Sequence, residues 1–272
     1  MSECIIIVLQ GGIGNQLFQY CAGLSLASSL GGELWLTPTE QNIHSGRDYR
    51  DALYIRAKAI GPGSSPLQSI QIEKDIRKDV FKEWTPDTFS EYQSIFLRGY
   101  FQYLPSIESQ IALVRDDLFQ RLSHLRISLR QKHQIQNPRQ TCFLHVRRGD
   151  YLKLDSQVFW IQDVNYFLPA IQAIKRRVSG PRRWLVVSDD IEWCKQQPWL
   201  TKHPFEIVDE KDELAGLMLM SLCEGGAVIS NSTFSWWGAM LGCGATGVPV
   251  AYPAKWIGKD KPDLFPPSWI RI

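Results

Sequence analysis

The stretch Thr141-Cys142-Phe143-Leu144-His145-Val146-Arg147-Arg148-Gly149-Asp150-Tyr151 decides how this chain is read. Thr141 to Leu144 have the character of an entering buried strand. The next six residues supply an imidazole, two guanidiniums and a carboxylate. A strand that turns abruptly polar at its end is where an open parallel sheet keeps its ligands. Strand side chains alternate, so His145 and Arg147 are expected to leave one face together and Val146 and Arg148 the other. Arg147 then stands where its planar fork of donors can meet an anion, whereas Arg148 is expected to pair with an internal carboxylate.

Downstream of this stretch the pattern alternates regularly. A helix capped by Asn165 runs through Val178, with Pro169 in its first turn, where a missing N–H does least harm. Strands are predicted at Arg183–Ser188, Phe205–Val208, Ala227–Ser230 and Val248–Tyr252. Helical segments follow Asp189-Asp190 and cover Glu213–Cys223 and Ser232–Leu241. Five strands interleaved with four helical segments predict an α/β fold with a doubly wound parallel sheet. Three of the strands end in polar clusters, His145 to Asp150, Ser188 to Asp190 and Ser230 to Ser235. Such a sheet would gather them in one crevice.

Upstream, Cys4 to Leu9 is an apolar, β-branched run suited to a buried parallel strand. The turn Gln10-Gly11-Gly12-Ile13-Gly14 leads from it into a helix that ends at Leu30-Gly31-Gly32. Gly12 and Gly14 let backbone N–H groups approach a ligand beside a helix start, and the turn presents Asn15 and Gln16. The dinucleotide fingerprint fails here, because Leu17 occupies the third glycine position and no acidic residue follows in the expected strand context. The phosphate-loop pattern fails too, for want of Gly-Lys-Ser/Thr. Between residues 37 and 94, Pro38, Gly46, Gly61 to Pro66 and Pro86 predict loops, short strands and specificity elements. A strand over Ile95–Gln102 precedes a helix capped by Ser106 and running through Leu125. The polar span Gln131–Gln140, with Asn137-Pro138, is the best boundary, giving domains at 1–138 and 139–272.

Composition narrows the function classes. With 272 residues, 44% hydrophobic and 21% charged, the chain is globular and long enough for two cores. A net charge of +2 is too small for bulk attraction to nucleic acid, so an anion must be bound locally. The six cysteines are scattered, with no CxxC pair and no zinc-ligand spacing, and read as reduced core thiols of a cytoplasmic, soluble protein. The beginning lacks the basic and long apolar regions of a signal peptide, and no apolar run approaches the roughly 18 to 20 residues of a spanning helix. Peripheral attachment at the inner membrane face stays open.

The chemistry follows from the clusters. Ser230-Asn231-Ser232-Thr233-Phe234-Ser235-Trp236-Trp237-Gly238 joins hydroxyls and an amide to a helix start, whose free N–H groups favour phosphate; capping by Ser232 is the plainer alternative. Asp189 and Asp190 can accept from ribose hydroxyls or the edge of a guanine, or cap a helix. Together these describe a nucleotide-sugar donor, its pyrophosphate held by Arg147 and a helix start. The sequence has no Asp-x-Asp pair, so neutralising a departing diphosphate is expected to fall to Arg147 and backbone donors, with no metal and no other cofactor.

The motifs GGIGNQLFQY, HVRRGDY and SNSTFSWWGA together resemble those of the α-1,2-fucosyltransferases of glycosyltransferase family 11, and more distantly the α-1,6- and protein O-fucosyltransferases. The resemblance implies a GT-B fold, two Rossmann-like domains facing a cleft. It also implies a GDP-β-L-fucose donor held mainly by the C-terminal domain, inversion at C1, and a galactose-terminated oligosaccharide or glycolipid acceptor modified at O2. Carried over residue by residue, it gives Arg147 the β-phosphate, His145 the nucleoside, and Asp189 the guanine. Ser232, Thr233 and Phe234, with Asn231 beside them, line the diphosphate or fucose, and Asn15 reaches the reaction centre. Asp150 is the first candidate for general base, with orientation of Arg148 as its alternative role; Asp155 is a second candidate, and a reaction with no strong base is a third reading. Another nucleotide sugar or acceptor on the same scaffold, or a silent glycan- or nucleotide-binding protein, are the competing functions.

Overall fold

The computed structural model describes residues 4–38, 47–60, 94–154, 159–180, 182–201, 204–244, 247–257 and 262–272. It divides into two compact units, Met1–Arg121 and Leu122–Ile272. The expected features at Gly46, Gly61 to Pro66 and Pro86, and Asp155, lie outside the described residues.

Unit 1 contains β1 (Cys4–Val8), α1 (Ile13–Leu30), β2 (Glu33–Leu36), α2 (Arg50–Leu53), β3 (Lys58–Ala59), β4 (Ser94–Arg98) and α3 (Leu104–Arg121). Its strands pair in parallel in the order β3-β2-β1-β4. Ile5, Ile6 and Ile7 are wholly buried, as a β-branched run in a central parallel strand should be. Helix α1 packs on β1, β2 and α3 and is buried on most of its circumference. Gly23 permits that approach, since a Cβ there would lie 2.6 Å from Leu34 Cδ1 and 2.8 Å from Ile7 Cγ1. Gly31 ends α1 at φ +65°, its N–H donating to Ala27 O.

Unit 2 contains α4 (Ser123–Lys132), β5 (Thr141–Val146), α5 (Val164–Arg177), β6 (Arg183–Ser188), α6 (Ile191–Lys195), β7 (Phe205–Ile207), α7 (Glu213–Ser221), β8 (Ala227–Val228), α8 (Thr233–Gly242), β9 (Val250–Tyr252) and β10 (Ile270–Arg271). All pairs are parallel, in the order β10-β9-β8-β5-β6-β7. Chain order thus runs outward from β5 through β6 to β7, then reverses to β8, β9 and β10 on the other side. The doubly wound sheet is present, with its switch point between β5 and β8. On one face Cys142, Leu144 and Val146 pack with Tyr166, Phe167, Ala170, Ile171 and Ile174 of α5. Helices α7 and α8 pack tightly on each other, and a Cβ on Gly238 or Gly242 would meet Met220 Cβ at 2.7 Å or Ser221 O at 2.9 Å.

Several local expectations are corrected. The units divide between Arg121 and Leu122 rather than at 138/139, because α4 packs on α7. Asp163, not Asn165, caps α5, accepting from Asn165 N–H, so Pro169 falls inside the helix and not in its first turn. Ser106 lies within α3 and donates to Tyr103 O instead of capping. The helix expected through Leu125 is two helices, broken at Leu122. The strand at 95–102 stops at Arg98, ahead of Phe101 with φ +48°. A sixth strand, β10, is too short for any alternation to show. All six cysteines are free, and all but Cys4 are buried. Among the described residues no helix is long and apolar enough to cross a membrane.

Candidate active site

The carboxyl ends of β8, β5 and β6 are neighbours, so the Ser230, His145 and Asp189 segments converge at the switch point. Ser230 clips two of them together. Its hydroxyl donates to His145 O at 2.7 Å and accepts from Arg147 N–H at 3.2 Å. This wholly buried serine sets where the chain leaves β5, and hence where Arg147 begins.

Arg147 is held by two carboxylates. Nη2 lies 2.6 Å from Asp150 Oδ1 and Nη1 2.9 Å from Asp189 Oδ2, while the guanidinium carbon lies 5.2 Å from the centroid of the Tyr151 ring. Asp150 therefore pairs with Arg147, and the alternative in which it orients Arg148 is corrected. The expected split between the arginines is present in another form: Arg148 pairs with Asp190 at 3.1 Å and stacks 4.2 Å from the Trp193 centroid. Asp190 also caps α6 by accepting from Trp193 N–H. The second oxygen of Asp189 accepts from Arg148 N–H at 2.8 Å, which ties the β5 and β6 loops together.

Gly149 makes this possible. A Cβ there would stand 2.7 Å from Asp189 Oδ2 and 3.0 Å from its Cγ, so a side chain would evict the carboxylate from Arg147.

His145 faces the side of the sheet opposite α5, its ring 5.7 Å from that of Phe234, the second residue of α8. Gly216 of α7 leaves room for Phe234, whose Cζ would lie 3.2 Å from a Cβ there. Burial holds the His145 imidazole down at about 4, against the raising effect of Asp189 and with help from Arg147, so it is neutral at pH 7. Burial pushes the Tyr151 phenol up to about 12; it donates to Asn231 O at 2.9 Å.

Ser232 occupies the N-cap of α8, but its side chain makes no capping bond, so the plainer reading of that serine does not hold. Helix α8 starts at Thr233, two residues after Asn231. Asn231 donates to Trp256 O, and its Oδ1, like His145 Nδ1 and Arg147 Nε, is buried without a hydrogen-bond partner among the described residues. Asp150 Oδ1 is also without a hydrogen bond among the described residues, although it lies in ion-pair range of Arg147; several buried polar atoms left unmatched in one cluster mark a place built for a polar ligand.

The expected site residues therefore form two groups. His145, Arg147, Asp150, Asp189, Asn231, Ser232, Thr233 and Phe234 come together in unit 2. Gly12, Gly14 and Asn15 lie in unit 1 after β1, where Gly11 turns at φ +72°, Gly12 caps α1 through its carbonyl, and Asn15 Oδ1 accepts from Gln102. The sequence did not single out Ser230, Tyr151 or Trp193 as supports of the arginines. Ser230 offered no signal beyond its cluster, since its partners are backbone atoms of another strand.

The model of the family described as "Glycosyl transferase family 11" matches residues 2–272. The O-antigen biosynthesis glycosyltransferase WbnK of Escherichia coli is 27% identical, over 97% of this chain and 99% of that protein. An α-1,2-colitosyltransferase of E. coli is 32% identical over 47% of this chain and 46% of its own length. Human galactoside α-(1,2)-fucosyltransferase 1 is 24% identical over 96% and 73%. Among solved structures, the fucosyltransferase NodZ from Bradyrhizobium superposes with a TM-score of 0.56 at 13% identity, covering 89% of this chain and 94% of that one. POFUT1 in complex with GDP-fucose gives 0.53 at 13%, covering 92% and 98%. These likenesses place both units in the GT-B type of fold, and the match over nearly every residue shows that the chain belongs to glycosyltransferase family 11.

Proposed function

We propose that this glycosyltransferase transfers L-fucose from GDP-β-L-fucose to O2 of a terminal β-galactoside, with inversion at C1 and no divalent cation. The observation that carries the reading is the position of Arg147. Its backbone N–H is clipped by Ser230 at the switch point, its guanidinium is held there by Asp150 and Asp189, and the ten-residue helix α8, whose positive end favours phosphate, begins three residues after Ser230. The galactoside α-(1,2)-fucosyltransferases in the family support the sugar and the linkage, and a structural neighbour holding GDP-fucose supports the donor.

In this mechanism the acceptor O2 attacks C1 from the face opposite the diphosphate. The C1–O bond breaks, and its electron pair passes to the β-phosphate oxygen. Arg147 and the α8 amides stabilise the charge that grows there, as oxyanion donors do. Of the two carboxylates on Arg147, Asp189 is also tied to backbone, whereas Asp150 has Arg147 as its one ion-pair partner among the described residues. Asp150 is thus the group a diphosphate can displace, and once displaced it can take the acceptor proton. His145, neutral and packed against Phe234, keeps Nδ1 without a partner among the described residues and offers that atom to a polar group of the nucleoside.

A second donor is favoured by the similarity to the α-1,2-colitosyltransferase. Colitose differs from fucose by lacking the 3-hydroxyl, so the two readings share a mechanism and differ in one hydrogen-bonding group. Incubation with GDP-fucose or GDP-colitose and lactose, followed by mass spectrometry and linkage analysis, tests both. A fucosylated product linked to galactose O2, formed with EDTA present, is expected; absence of product with either donor, or a requirement for metal, refutes the proposal.

A further inference from the structure

We propose that unit 2 carries a second anion site, on the rim of the sheet opposite Arg147, that takes a phosphate group bearing no base. All six strands run in parallel, so the ends carrying Arg147, Asp189 and Ser230 lie on one rim and the beginnings of β5, β6, β8 and β9 on the other. At that amino-terminal rim a cavity of about 500 Å³ opens among residues that immediately precede these strands. This is within the range of small-ligand pockets.

Three guanidiniums line it from three segments: Arg139 from the turn before β5, Arg177 from the last turn of α5, and Arg182 just before β6. Glu224 is the one carboxylate in the lining, which leaves two net positive charges. No ion pair joins Arg139, Arg177 or Arg182 to any described carboxylate. Several arginines elsewhere pair with carboxylates: Arg50 with Asp48, Arg56 with Asp117, Arg147 and Arg148 with their aspartates, and Arg183, next in sequence to Arg182, with Glu206. Arg182 Nε is moreover buried without any hydrogen-bond partner among the described residues. A charged donor withdrawn from water and left unmatched is costly, and so is the convergence of like charges. The carboxyl-terminal end of α5 attracts cations, which accounts for Arg177 together with Lys175 and Arg176. It does not account for Arg139 or Arg182, which belong to other elements.

Guanidinium forks match phosphate oxygens in geometry as well as charge. The remaining wall is formed by Val178, Val248, Pro249, two glycines and the hydroxyl residue Ser179, with no aromatic ring on which a base could stack. The chemistry selected is a phosphate or diphosphate, free in solution or carried as a lipid headgroup. The two sources separate experimentally.

Calorimetry with inorganic pyrophosphate on the full chain, as wild type, as Arg147→Ala, and with Arg182→Gln or Arg139→Gln/Arg177→Gln added to the Arg147→Ala background, forms one arm. Sedimentation with phosphatidylglycerol vesicles, against phosphatidylcholine, forms the other. Pyrophosphate binding that survives Arg147→Ala but weakens at least tenfold when either Arg182→Gln or the double variant is added assigns a free anion. Sedimentation with the anionic vesicles alone, lost in the same two variants, assigns a lipid phosphate. The double variant alters two exposed side chains, so it decides the matter should Arg182→Gln lower the thermal midpoint. If neither arm shows binding that depends on these arginines, the site does not exist.

Discussion

Asp150→Asn should tighten GDP binding while slowing transfer. The charge count around Arg147 gives the reason: Asp150, Asp189 and Asp190 face Arg147 and Arg148, and His145 is neutral, so the cluster sums to −1 before any nucleotide arrives. A diphosphate must compete for a guanidinium already paired at 2.6 and 2.9 Å. Two unit charges about 6 Å apart at an effective dielectric of about 20 repel by roughly 3 kcal/mol. Asp150 keeps 30% of its surface exposed, so screening cuts this to on the order of 1 kcal/mol. The expected result is GDP bound about fivefold more tightly in the variant, read by isothermal titration calorimetry at pH 7.5. Turnover with saturating GDP-fucose should fall by about 10² or more, because the same substitution removes the proposed base. Weaker GDP binding in the variant would refute the reasoning, since Asp150 would then serve to orient Arg147 for phosphate. Absence of GDP binding by the wild type would instead refute the donor assignment.

Gly149→Ala drives a methyl group against Asp189, and the loss of its bonds to Arg147 and Arg148 N–H should lower stability by about 1–3 kcal/mol in chemical denaturation and weaken GDP binding. Ser230→Ala strips the buried Arg147 N–H of its acceptor and His145 O of its donor; a similar loss of stability is expected, with kcat reduced more than KM, and unchanged kinetics would show that the clip does not position Arg147. His145 has its folded pKa pushed down to about 4 by burial, so between there and its ordinary value near 6.5 the unfolded chain binds the proton more readily, and stability rises with pH across that window. Wild-type stability should therefore fall by about 2 kcal/mol from pH 7.5 to pH 5 through this group, and His145→Gln should remove that share of the pH dependence.

What could be read in the sequence divides along physical lines. The C-terminal sheet was legible because its strands are fully buried, and burial on both faces writes itself as apolar runs such as Phe143–Leu144 and Leu185–Val187. Where the deciding interaction is a single side chain, reading failed. Asp163 and Asn165 are equally good caps by type, and only the observed bond from Asn165 N–H to Asp163 separates them. Strand β10 holds its place by pairing with β9 and needs no pattern of its own. The unit boundary was misjudged because α4, with Leu129 as its one buried residue, looks like a polar connector, while its attachment rests on contacts with α7 about 90 residues later.

The site shows the same division more sharply. Alternation along β5 separates His145 from Val146 and is visible in one dimension, but it stops where the strand stops, at Val146, one residue before the arginines. Beyond that point the partners of Arg147 are set by a turn and by a neighbouring strand. The turn brings Asp150 back at i+3, and Gly149 leaves the space through which Asp189 enters from β6. The Arg-Arg-Gly-Asp motif is thus better understood as a frame for two carboxylates on one guanidinium than as a list of ligand contacts. That frame gives its glycine a reason that neither turn geometry nor phosphate approach supplies, and it makes the charge of the residue cluster, −1 rather than positive, the quantity a donor diphosphate must overcome.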